Sequence, residues 1–165
     1  MEFELTTVSL RGVPVPVWQR ADEEAKDLLR EFTLIALEER PSGLDVPDRL
    51  LELVDELRET YGAVGNEQAN RLSEAVNLGE AEIERLDYEV PVGIEPDLDR
   101  LAAALDEADE YCRRGEHLLS LASSPAAKAF RDWFFEEFRR QLAGMEPTPW
   151  ALSPVAARLG EIAAR

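Results

Sequence analysis

The sequence predicts a mainly α-helical single domain of five or six helices with a small N-terminal β-hairpin. Three observations carry that expectation. From Arg20 onward, apolar residues recur at steps of three and four, the spacing that gathers side chains on one helix face. Before it, residues 3–18 are rich in β-branched residues and alternate around Arg11-Gly12, as two short strands and a turn would. A length of 165 residues with 45% hydrophobic content fits one domain, with a core large enough to fold without staples.

Taken in order, the second arm of the hairpin contains Pro14 and Pro16, which cannot donate to a ladder, so it reads as an edge or merely extended. The helical core spans 20–143. Its first helix, about 20–39, aligns Ala25, Leu28, Leu29, Phe32, Ile35 and Ala36, and Pro41, Ser42 and Gly43 break it. A second, about 47–61, opens with Pro47 in the first turn and aligns Leu50, Leu53, Val54, Leu57 and Tyr61. Gly62 and Gly65 close it, and Asn66 reads as the next N-cap.

The third helix, about 67–86, carries Ala69, Leu72, Val76, Gly79, Ile83 and Leu86 in a narrow seam, where Ala69 and Gly79 would permit close helix approach. Residues 87–96 are expected to be extended, since Val90 precedes a proline, and 88–92 could add a strand to the hairpin. The fourth helix, about 97–113, aligns Leu98, Leu101, Ala102, Leu105, Ala108 and Cys112 and ends at Gly115. After the apolar connection HLLSLA, Ser124-Pro125 forms an N-cap with proline at N1, so a fifth helix opens there and runs to about Leu142. Residues 144–152 read as a proline-rich linker, and Ser153-Pro154 starts a terminal helix over 153–165.

Formal charge is −17, with the acids spread along the helices, and such a field repels phosphate backbones and anionic lipid. Nucleic acid and membrane surfaces are therefore not the expected partners. A single cysteine, Cys112, forms no internal disulfide and fits a reducing compartment. Without a basic segment and apolar run at the start, or a stretch near the ~20 apolar residues of a span, the expected location is cytoplasmic.

Catalytic patterns are few. His117 is the only histidine, which disposes of histidine-rich zinc sites and paired Glu-x-x-His metal bundles. Cys112 and His117 lie five apart across a helix end: either a nucleophile with its base, or a small buried thiol and a surface histidine. The carboxylates of DEADE (106–110) and EAEIE (80–84) fall mostly opposite the apolar seams and read as solvated charge. With no Gly-rich phosphate loop, Walker lysine or GxSxG elbow, the expectation is a protein that is not an enzyme, with no metal and no cofactor.

The fifth helix stands apart. AFRDWFFEEFRRQL (129–142) places Phe130, Trp133, Phe134, Phe135, Phe138 and Leu142 over an arc of about 200°, where a helix lying on one core needs about 100°. Arg131, Glu137 and Gln141 fall within that arc, so each must find a partner if it is covered. Two placements satisfy this: a central helix wrapped by the first, third and fourth helices and the C-terminal segment, or an interface with a protein partner or second copy. In the interface reading, Trp133, Phe134, Phe135 and Phe138 anchor while Arg131, Glu137, Arg140 and Gln141 orient.

CRRGEHLLSLASSP (112–125) followed by FRDWFFEEFRRQL resembles a C-R-x-G, L-L-x-L-A, P, R-x-W-x-x-x-E-F-x-R-Q signature of small uncharacterised actinobacterial proteins that accompany partner-switching stress regulators. LRGVPVPVWQRADEEAKDLLREF and DYEVP are similar to the same group, so the resemblance spans most of residues 8–150. It implies a bacterial regulatory or adaptor protein working beside a PP2C-type regulatory phosphatase, an anti-sigma kinase or a STAS protein, and it carries no catalytic residue to transfer. The alternative is a small-molecule-sensing helical domain with an aromatic-lined pocket.

Overall fold

The computed structural model describes residues 4–37, 46–115 and 121–163. These form β1 (Leu5–Pro14), α1 (Val15–Leu37), α2 (Val46–Tyr61), α3 (Asn66–Asn77), β2 (Glu82–Pro91), α4 (Glu95–Arg114), α5 (Pro125–Leu142) and α6 (Pro154–Ala163), with 3-10 turns at Val92–Ile94 and Trp150–Leu152. The mainly helical class with six helices is as the sequence predicts. The Pro41-Ser42-Gly43 break and His117 lie outside the described residues.

The β element is not a local hairpin. Residues 5–14 form one strand, paired antiparallel with β2 from Leu5↔Pro91 to Pro14↔Glu82. Three helices thus separate the partners in sequence. Arg11-Gly12 is no turn; Gly12 has φ +62 inside the strand, a conformation an L side chain enters only at a cost. Around it both strands exchange faces: Val8 and Leu10, then Val13, are buried on β1, and Val90, Tyr88 and Leu86, then Ile83, on β2. Pro14 ends the strand, and Pro16 to Trp18, expected to be extended, form the first turn of α1, where a missing N–H costs nothing.

The third helix is shorter than the seam predicted. It stops at Asn77, and Ile83 and Leu86 belong to β2. Gly79 lies past the helix end with φ +70 and nothing near an added Cβ, and Ala69 is exposed, so neither mediates a close helix approach. Asn66 is the first helical residue rather than the cap; Gly65 caps, and the Asn66 amide donates back to the Gly62 carbonyl at 3.0 Å.

Two apolar clusters organise the packing. One joins the inward face of the sheet to Leu72, Ala75, Phe130, Trp133 and Phe138. Another gathers Leu28, Phe32, Leu50, Ala108 and Cys112 between α1, α2 and α4. Helix α1 reaches both, through Val17 and Trp18 at its start and Leu28 and Phe32 further on. Both outer edges of the two-stranded ribbon are met by glutamine at the facing pair Ser9 and Asp87. Gln141 exchanges two bonds of 2.8 Å with the Ser9 backbone, and Gln68 donates to the Asp87 carbonyl. Such covering of edge groups limits unwanted strand pairing.

Candidate partner-binding trough

Local chemistry sets α5. Pro125 occupies its first position, the Ser124 hydroxyl accepts from the Ala127 N–H at 3.2 Å, and Ser124 is itself held by Glu24 of α1 through bonds of 2.7 Å. The cap therefore fixes both the start of α5 and its seat against α1.

One side of α5 is core. Trp133 and Phe138 are each 2% exposed and Phe130 7%. Phe138 and Phe134 stack at 4.6 Å and both meet Tyr88, while Trp133 packs edge-on to Trp150 at 5.5 Å. Those packed against α5 are α1, α4, α6 and β1. The sheet takes the place that the sequence reading gave to the third helix.

The polar residues inside the aromatic arc find their partners within the chain. Glu137, also 2% exposed, accepts from the Thr148 N–H at 2.6 Å, from Arg140 at 2.8 Å and from Gln141 at 3.3 Å. Arg140 also donates to the Thr148 hydroxyl, and the Trp133 indole N–H to the Thr148 carbonyl at 3.1 Å. All three polar groups of Thr148 thus bond to α5, fastening the 144–152 segment to it.

Arg131 donates to Asp109 at 2.8 Å, to Asp106 at 3.0 Å and to the Ser123 hydroxyl at 3.1 Å. Asp109 is 1% exposed, so the reading of DEADE as solvated charge fails at this residue. The signal was present: Asp109 is four residues from Leu105 and three from Cys112, on the same helix face. Burial alone would push its carboxyl up, but hydrogen bonds from Arg131 and Ser123, with the charge of Arg131, hold it below the usual carboxylate range.

Cys112 is buried, and burial first, then the negative charge of Asp109, pushes its thiol up to about 11. A thiol is nucleophilic only as thiolate. Native Cys112 is therefore expected to resist a gentle aromatic disulfide reagent at neutral pH and to label only after denaturant is added, read by absorbance of the released thiolate. Among the described residues no cluster of three metal-ligating side chains forms.

The other side of α5 is open. A hollow of about 680 Å³ lies between α4, α5 and α6, and of the eight predicted residues it is lined by Arg131, Trp133, Phe135, Glu137 and Arg140. Phe138 and Gln141 lie on the core side, and Phe134 faces a different hollow of about 250 Å³, shared with Trp18, Leu28 and Phe130. A third hollow, about 300 Å³, adjoins the first and shares Asp132, Val155 and Arg158 with it. Together the two make a trough along α5. Sequence reasoning missed its other walls: Ala102, Asp106 and Arg113 of α4, and Val155, Arg158 and Leu159 of α6.

Comparison of the chain with protein-family models, with curated proteins and with solved structures finds no match. Among the described residues, no helix is long and apolar enough to cross a membrane.

Proposed function

We propose that the protein is a non-enzymatic regulatory or adaptor module that binds a protein partner through the trough between α4, α5 and α6. The observation that supports this is the arrangement of α5, whose inner aromatic face is committed to the core while Phe135, 6% exposed, and the paired Arg139 and Arg140 sit against an open hollow. An apolar floor ringed by arginines is the composition of interface anchors. The resemblance to proteins accompanying partner-switching regulators points to a regulatory phosphatase, an anti-sigma kinase or a STAS protein as the partner, in a bacterial cytoplasm.

The test is direct binding of purified proteins of these three classes from one host to the immobilised wild-type chain. At least one is expected to bind in the micromolar range or tighter, on the order of −8 kcal/mol. Failure of all three to bind would remove this reading.

A second reading has its own observation. The 250 Å³ hollow is lined mostly by apolar groups, including Trp18, Phe130 and Phe134, which is the aromatic-lined pocket a small-molecule sensor requires. Native mass spectrometry of protein taken directly from its host discriminates: an additional non-covalent mass supports sensing, and the bare chain mass argues against it.

A further inference from the structure

Three helices present regular stripes to the trough. From α4 come Ala102, Asp106 and Arg113; from α5, Lys128, Asp132, Glu136 and Arg139; from α6, Val155, Arg158 and Leu159. Steps of three, four and seven keep each set on one helix face, and the α4 and α5 sets each run over about three turns, so, while α6 meets the trough over one turn, these two helices lie along it. It follows α5 from Pro125 to Arg140, which at 1.5 Å per residue is roughly 24 Å, or about four helical turns. A trough walled by parallel helical ridges and about that long is shaped for one more helix.

Its charge differs from that of the rest of the chain. The lining contains six cations, Arg113, Lys128, Arg131, Arg139, Arg140 and Arg158, against four carboxylates, Asp106, Asp132, Glu136 and Glu137. Its formal balance is therefore +2 in a chain of −17; Arg131 and Arg139 are also paired with Asp109 and Asp99 just outside the lining, so the outward positive charge rests on Arg113 and Arg158. Glu137 is covered and already bonded to Arg140, so it presents little charge outward. Arg113 and Arg158 are exposed. An acidic segment is repelled by most of this molecule and attracted here, which sets where it docks as well as whether it does.

Resting on the adaptor reading, we infer that the occupant of the trough is an acidic amphipathic helix of the partner protein. Its apolar stripe lies on Phe135, Val155 and Leu159, and its flanking Asp and Glu side chains meet Arg113 and Arg158. The apolar floor favours such a helix over a small anion, which would use the cations and leave the floor wet.

The probe is a fluorescently labelled, end-capped peptide of about 16 residues with leucine at positions spaced for one face and glutamate elsewhere. Its counterpart replaces every glutamate by lysine. Anisotropy is expected to show the glutamate peptide binding the full chain, about tenfold more weakly when Arg113→Glu and Arg158→Glu are combined, and more weakly as salt rises from roughly 50 to roughly 500 mM. Val155→Glu should abolish binding. Far-UV circular dichroism checks that each variant is folded; Arg113 and Arg158 are exposed, whereas Val155 is half-buried against the main apolar cluster, so the charge reversals carry the test if Val155→Glu unfolds.

Equal binding of the lysine peptide, no binding of the glutamate peptide, or no response to the arginine changes would overturn the inference. Running the same variants against a whole partner protein separates the two proposals. A partner that binds wild type and variants alike keeps the adaptor role but removes the trough as its binding site, from the proposed function as well as from this inference. Peptide binding with no partner response among the three regulator classes sinks the adaptor reading as stated and keeps the trough as an acidic-helix site.

Discussion

Replacing Trp133 by alanine is expected to lower the folding free energy by about 3–5 kcal/mol, the range for buried aromatics truncated to a methyl group. The indole is 2% exposed and packs edge-on against Phe130 at 5.8 Å and Trp150 at 5.5 Å. Its N–H also holds the Thr148 carbonyl, so truncation removes both filling and a tether of the 144–152 segment. A domain of this size is stable by about 5–15 kcal/mol, so the variant loses a large share. Urea unfolding followed by far-UV circular dichroism measures it, because tryptophan fluorescence would change with the substitution itself. Trp133→Phe separates the terms: it keeps most of the ring and loses the hydrogen bond, at about 1–2 kcal/mol. An unchanged urea midpoint for Trp133→Ala would mean that the ring does not support the core. Most of any loss of partner binding in this variant should track its unfolded fraction, since the ring, though it lines the hollow, is 2% exposed and packed into the core.

How far the sequence could be read depends on the range of the forces involved. The start of α5 was legible to the residue, because a serine cap followed by proline is chemistry within four positions. The end of α4 near Gly115 and the start of α6 at Pro154 were legible for the same reason. The second half of strand β2 was legible, since Tyr88–Pro91 pair with β1 as the extended reading of 88–92 expected, but its first half, Glu82–Leu86, was concealed by a specific accident of geometry. The exchange of faces near Gly12 leaves the inward residues Ile83 and Leu86 three apart, a helical step that continues the seam of Leu72 and Val76. A strand of constant facing would have shown alternation.

Within the candidate site, the need of Arg131, Glu137 and Gln141 for partners followed from their place on the helix wheel. The identities of those partners did not. Ser9 is 132 residues from Gln141, Asp109 is 22 from Arg131, and Thr148 is 11 from Glu137. Periodicity describes one helix at a time, so it could say that the arc exceeded one layer. It could not say that the sheet and the Thr148 segment supply the second layer, or that α6 leaves a trough on the remaining side.

Arg131→Met is expected to destabilise the fold by about 3–5 kcal/mol, because it removes the cation from a carboxylate that stays buried. The Asp109 side chain is 2% exposed and that of Arg131 14%, and the remaining donors to Asp109 are the N–H and hydroxyl of Ser123. Adding Asp109→Leu to Arg131→Met should return part of that loss, since a buried apolar pair of similar volume avoids the desolvated charge altogether. Acid titration gives a second readout. The Asp109 carboxyl is held below its ordinary value in the folded chain, so its contribution is complete above the unfolded value of about 4 and is lost as pH falls through the lowered folded value. Glu56, Asp87 and Asp97 are shifted the same way, by Arg100, by Arg85 and Ser9, and by Tyr61 and Arg100 respectively, so among the described residues the wild-type acid limb belongs to these three together with Asp109. The informative quantity is the difference between chains: the double variant should lose less stability than wild type between pH ~5 and pH ~2. Identical acid limbs, or an Arg131→Met chain as stable as wild type at neutral pH, would show that the Arg131–Asp109 pair does not hold α4 against α5.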